Sequence, residues 1–249
     1  MVWNAFIFNL FQGIPISETK TIPEIYFFDV VNTVNTIVVL LEKQFNDSVL
    51  PLIESTPKHS DGLQRKKNEL EKLEAKMDAG LDRSLNTAVG WVRTVLLQEQ
   101  KRSDYFNTAE MAMTSPACSR VIKWMDRIVE KIRKSLDGRN IEVALTELGA
   151  RFHRVIYEHL QQFTYDSAGV MAALCDVQEY RRCAGKFELP EINALFDTLH
   201  AMCNLLVIHP ENLRNAMQGD QLAALDRTIL ENWIQLRADY KTEKLGSFI

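Results

Sequence analysis

The stretch Leu145–Ala184, "LTELGARFHRVIYEHLQQFTYDSAGVMAALCDVQEYRRCA", decides how the rest of the chain is read. Leu148, Phe152, Val155, Ile156, Leu160 and Phe163 recur at helical steps and share one face, while Glu147, Arg151, Arg154 and Glu158 fall elsewhere. The spacing predicts an amphipathic helix. The link TYDSAG (Thr164–Gly169) offers Asp166 and Ser167 as helix-start residues and Gly169 as a joint, after which Val170, Leu174, Val177 and Ala184 resume the period. The unit is a helical hairpin.

The flanks read the same way. Gly185 closes the hairpin, and Pro190 opens a helix with Ile192, Phe196, Leu199 and Leu206 inward until His209-Pro210. A short helix follows, stopped by Gly219. Asp220 then caps a last helix in which Leu222, Leu225, Ile229, Trp233, Leu236 and Tyr240 keep step. Upstream, Asn140 is the expected cap of the hairpin. Ser115-Pro116 caps a helix ending at Gly138, with Val121, Met125, Ile128 and Ile132 inward and Arg120, Lys123, Arg127, Lys131 and Lys134 as the opposite stripe. Before the loop Tyr105–Ser115, a segment from near Asp61 to Ser103 has one seam through Leu70, Met77, Leu85, Val92 and Val95. At 1.5 Å per residue that is roughly 60 Å of helix, longer than a compact domain of this size is wide. The chain is therefore expected to be elongated. Gly80 and Gly90 cost about 1 kcal/mol each there, which predicts a bend or a close helix contact.

At the other end, Thr21-Ile22-Pro23 reads as the start of a helix that runs to about Leu50 and is ended by Pro51. Its β-branched run VVNTVNTIVVLL imitates a strand, but its length and period favour a helix buried on most sides. Asp29, Asn32 and Asn35 disfavour a membrane span. The run MVWNAFIFNLFQG (1–13) has no basic n-region and is too short to cross a bilayer, so it reads as the tail of a core helix and the chain as a fragment of something longer.

Composition points to the same class. Only 10 Gly and 7 Pro in 249 residues are too few turn signals for an all-β fold. The expectation is all-α, in two bundles, 1–136 and 137–249, that form one continuous rod. A net charge of -4 offers no basic field for nucleic acid. The four cysteines, Cys118, Cys175, Cys183 and Cys203, form no CxxC pair, and scattered thiols of this kind suit a reducing cytosol.

His153 and His159, six apart, fall on different helix faces and match no metal spacing. Cys175 has no orienting partner or oxyanion loop in the pattern. Carboxylate pairs such as Asp78 and Asp82 belong to charged helix surfaces, and no glycine-rich loop follows a strand. No catalytic, cofactor-binding or metal-ligating residue is singled out. The stripe Arg120, Lys123, Arg127, Lys131 and Lys134 is the one directional surface feature, a contact for an acidic partner helix or an anionic membrane, unless the flanking Asp126 and Glu130 neutralise it.

The hairpin string, with EKQFNDSVLPLI (Glu42–Ile53), FDTLHAMCNLLV (Phe196–Val207) and LRADY (Leu236–Tyr240) in the same order, resembles the C-terminal region of the exocyst complex component five family. That resemblance implies a rod of stacked antiparallel helical bundles in a non-enzymatic scaffold without cofactors. It implies a cytoplasmic chain, recruited to the plasma membrane, that helps tether secretory vesicles there before fusion. The partners it implies are other exocyst subunits, component six above all, and an ADP-ribosylation-factor small GTPase. A helical binding module or regulator of a small GTPase is the alternative reading.

Overall fold

The computed structural model describes residues 22–106 and 114–247. The run 1–13, Thr21 and most of the Tyr105–Ser115 loop lie outside them. Helix α1 (Phe27–Gln44) passes through a π-helical turn (Phe45–Val49) into the short α2 (Leu50–Ile53), and α3 follows as 41 residues, His59–Glu99. Then come α4 (Pro116–Ser135), α5 (Gly138–Leu160), α6 (Ser167–Gly185), α7 (Pro190–Leu205), α8 (Leu213–Met217) and α9 (Arg227–Ile234), with single 3-10 turns at Pro210–Asn212 and Leu245–Ser247. Among the described residues there is no strand, only an isolated parallel bridge between Tyr165 and Arg237. The fold is all-α.

Several ends differ from the sequence reading, each for a local reason. Residues 22–26 are not helical, so Pro23 precedes α1 rather than opening it. Pro51 does not end the first helix. It sits in the first turn of α2, where the widened turn just before it accommodates the missing N–H. Gly138 does not close α4. With φ +46° it makes the left-handed step that opens α5, which puts Asn140 inside the first turn. The last helix is capped by Asp226, whose carboxylate accepts the Thr228 N–H at 2.8 Å, and Asp220 lies in the turns before it. It stops at Ile234 because the backbone beyond turns to Tyr165: Tyr165 N–H donates to Leu236 O at 2.9 Å and Ala238 N–H to Tyr165 O at 2.8 Å.

The chain forms two compact units, Met1–Ala88 with Glu130–Ala144, and Val89–Val129 with Leu145–Ile249. The sequence reading places one boundary near residue 136, whereas the contacts divide α3, α4 and α5 themselves between the units. In the first unit Phe27, Phe28, Val31 and Val34 of α1 are buried with Met77, Leu85, Ile132 and Leu136. Gly80 leaves the space that the Phe27 ring fills, since a Cβ there would lie 2.1 Å from that ring, so the close contact expected at Gly80 is present. The α1 helix is not buried on most sides: Val39, Leu40 and Leu41 are exposed.

In the second unit Leu148, Phe152, Val155, Ile156, Leu160 and Phe163 of α5 are all buried, as are Val170, Val177 and Ala184 of α6. Asp166 caps α6 by accepting the Gly169 N–H at 2.7 Å. Phe152 meets Phe196 and Tyr180 at ring distances of 5.3 and 5.9 Å, and Tyr157 stacks on Trp233 at 5.4 Å, which ties α7 and α9 to the hairpin.

Candidate interaction surfaces

The five basic residues of α4 do share one face, but the chain itself occupies three of them. Arg120 forms an ion pair with Glu99. Lys131 lies 2.8 Å from the Asp29 carboxylate and over the Tyr26 ring at 5.5 Å. Lys134 pairs with Glu130 at 2.6 Å, one helical turn back. Partial burial raises the Asp29 carboxyl, but hydrogen bonds from Lys131 and Ser135 and the Lys131 charge outweigh it and leave the group below its ordinary range. Asp126 does not neutralise the stripe, because it pairs with Lys186 at 2.7 Å. Lys123 and Arg127 are exposed and have no carboxylate partner among the described residues.

The histidines have separate surroundings. His159 is buried, its Nε2 is 2.7 Å from Gln100 Oε1 and its ring packs edge-on to Phe163, so burial lowers its pKa to about 4. His153 packs against Phe196 and Tyr157. Burial lowers it to about 4 as well, against an opposing hydrogen bond at the Leu195 backbone. Both are neutral at pH 7. Burial, with the Asp126 charge next in weight, pushes the Cys183 thiol up to about 12, which leaves it a weak nucleophile. No group of three or more His, Cys, Asp or Glu among the described residues is placed to hold a metal ion.

A buried polar cluster went unnoticed in the sequence. Asp176 of α6 is fully buried and accepts the Tyr105 hydroxyl at 2.7 Å, the Ser115 N–H at 2.7 Å and, weakly, Gln100 Nε2 at 3.4 Å. Gln100 in turn bonds Tyr105 and His159. Burial raises the Asp176 carboxyl above the ordinary range, while the hydrogen bonds from Ser115 and Tyr105 pull it back. Asp176 therefore fastens the end of α3 and the start of α4 to the hairpin. A signal was available: Asp176 falls between Ala173 and Tyr180 on the apolar face of α6, where a carboxylate needs partners.

The first unit offers a different surface. From 35 to 76, through the second half of α1, α2 and the first half of α3, no residue is buried. Leu41, Phe45, Val49, Ile53 and Leu70 line an open groove of about 760 Å³ there, with Lys58, Asp61 and Arg65 on its rim. Lys66 lies 5.1 Å over the Phe45 ring and 3.3 Å from Glu42.

These features define an all-α helical-bundle protein whose outward chemistry lies on helix faces. No described helix is long and apolar enough to cross a membrane. The chain belongs to the Exocyst complex component Sec10-like family, whose alpha-helical bundle it matches over residues 9–249. It is 49% identical to human Exocyst complex component 5 over 94% of its own length and 33% of that protein. For the Drosophila melanogaster protein of the same name the figures are 42%, 96% and 34%. Arabidopsis thaliana Exocyst complex component SEC10a is 29% identical over 84% of the chain and 26% of the relative. The chain thus spans about a third of the length of the animal relatives it matches.

Proposed function

We propose that this chain is a non-catalytic scaffold segment of an exocyst subunit, acting in the tethering of secretory vesicles to the plasma membrane before fusion. The observation that carries the reading is the family match along residues 9–249, on a chain whose helices present side surfaces. Its partners are other exocyst subunits, exocyst complex component six foremost, with an ADP-ribosylation-factor small GTPase as a further contact. It reaches the plasma membrane from the cytoplasm as part of the complex. Contact is by helix faces packing on helices.

The basic face of α4 is a second contact in this proposal, with Lys123 and Arg127 as its open charges and Arg120, Lys131 and Lys134 available by exchange of their present partners. Each basic residue adds up to about 1 kcal/mol at an anionic membrane. Pull-down of the remaining exocyst subunits by this chain tests the scaffold reading, and capture of none of them refutes it. Reversing Lys123, Arg127 and Lys134 to Glu is expected to weaken capture or liposome binding, Lys131 being left in place because it holds Asp29. Unchanged behaviour in both removes the basic face. No observation favours the alternative, a regulator of small-GTPase nucleotide exchange or hydrolysis.

A further inference from the structure

Most of the stability of a helix in a folded protein comes from tertiary packing of its apolar face. In the first half of α1 that packing exists. Phe27, Phe28, Val31 and Val34 are buried, and α4 is fastened alongside where Lys131 and Ser135 both hydrogen-bond to Asp29. Beyond Val34 the apolar pattern continues on both helices, yet from 35 to 76 no residue of it is buried. Val49 and Leu63 are each 40% exposed and Leu52 is 76% exposed. The α1–α2 arm and the first half of α3 thus form a two-helix hairpin with one side of its seam open.

The charges around the groove say what kind of helix completes it. Glu42 is engaged by Lys66 and Glu69 by Lys72, at 3.3 and 2.8 Å. Lys58 forms no ion pair among the described residues, and Arg65 forms no close one, though its charge helps to lower the Glu69 carboxyl behind the hydrogen bond and charge of Lys72. Asp61, the remaining acid on the rim, sits in the first turn of α3, where the helix dipole already favours it. The rim therefore offers one open cation, Lys58, and a second, Arg65, only loosely engaged by Glu69, beside an apolar floor.

We propose that this groove seats an amphipathic helix of another exocyst subunit, with its apolar face on Leu41, Phe45, Val49 and Ile53 and carboxylates beside it facing Lys58 and Arg65. The docked helix is the third member that the hairpin lacks. The inference rests on the scaffold reading above and names a surface for it.

The test is hydrogen exchange and pull-down on the full chain, with the remaining exocyst subunits added one at a time. Amides of 41–53 and 58–70 are expected to exchange freely in the chain alone and to slow at least about tenfold with one subunit. Val49→Asp is expected to lower capture of that subunit about tenfold or more, as charging the floor of an apolar contact does. The pair Lys58→Glu and Arg65→Glu should lower capture several-fold and flatten its salt dependence, as loss of rim charges does. Helicity and melting temperature serve as fold controls, since none of the three residues is buried. Strong protection in the chain alone would mean that the chain covers its own groove, and a concentration-dependent dimer shielding it would make a second copy the occupant. Either result overturns the proposal, as does full capture by the Val49→Asp chain. If wild-type chain captures no exocyst subunit, the scaffold reading fails and the groove assignment with it. If both chains capture equally, only the groove assignment fails.

Discussion

Replacing Asp176 with alanine removes the acceptor that holds three segments of the second unit together, and its cost follows from the partners left behind. The Tyr105 hydroxyl is fully buried and would still accept from Gln100, but leaving its proton without an acceptor costs about 1–3 kcal/mol. The Ser115 N–H is half-buried and regains part of its bond from water, so about 1 kcal/mol is lost there. The void left by the carboxyl adds about 1 kcal/mol. Against these stands the relief of a buried carboxyl that was itself held above its ordinary pKa by desolvation. The net is a loss of about 3 kcal/mol. At about 2–4 °C per kcal/mol for a chain of this size, the midpoint should fall by roughly 9 °C in a thermal melt followed by tryptophan fluorescence. Asp176→Asn, which keeps the shape and one of the two strong acceptances, should lose about half as much. Asp197→Ala, which removes a partly exposed partner of Arg181, serves as the comparison and should cost about 1 kcal/mol. A melt of Asp176→Ala within 1–2 °C of wild type (roughly 0.5 kcal/mol by the same scale), or one no worse than Asp197→Ala, would refute the clamp.

Further outcomes can be measured on the same footing. Gly169→Ala would place a Cβ 1.7 Å from the Tyr105 carbonyl oxygen, a backbone atom that cannot swing away, so urea titration should show a loss of about 2–3 kcal/mol. Gly185→Ala meets nothing within 4 Å and should instead gain about 0.5 kcal/mol. Arg237 is buried and donates to the Ile208 carbonyl at 2.6 Å while gripping Asp239 at 2.7 and 2.9 Å, so Arg237→Ala should cost about 2–4 kcal/mol and Asp239→Asn distinctly less. For His159 the folded pKa, about 4, lies below the ordinary 6.5. The unfolded chain therefore binds the proton first, and this residue's contribution is complete above pH 6.5 and lost as pH falls toward 4. At pH 5 the penalty is about 2 kcal/mol. The same sign applies to His153, whereas Asp176, with its raised pKa, works in the opposite direction. His159→Gln should flatten the pH dependence of the urea midpoint between pH 5 and 7, and an unchanged slope would contradict the burial argument.

The all-α class, the hairpin of α5 and α6 and the long α3 were legible because each rests on a local rule: an apolar period of three to four, a capping side chain, a proline at a helix start. The resemblance carried by segments spread along the chain named the family that the match over 9–249 establishes. What lay beyond the sequence depends on which distant groups meet. Nothing within a few residues of Lys131 says that Asp29 will hold it, and Asp126 sits beside the basic stripe yet turns to Lys186. Asp220 and Asp226 are equally good caps by composition, and the bridge from Tyr165 to the segment after α9 helps set where that helix stops. The open groove is the plainest case. Leu41, Phe45 and Val49 show the same period as Phe28 and Val31, so periodicity marks both as apolar faces. Only packing decides that one is buried and the other left partly open, because burial is a property of what arrives from elsewhere in the fold, and a helix carries no record of its neighbour.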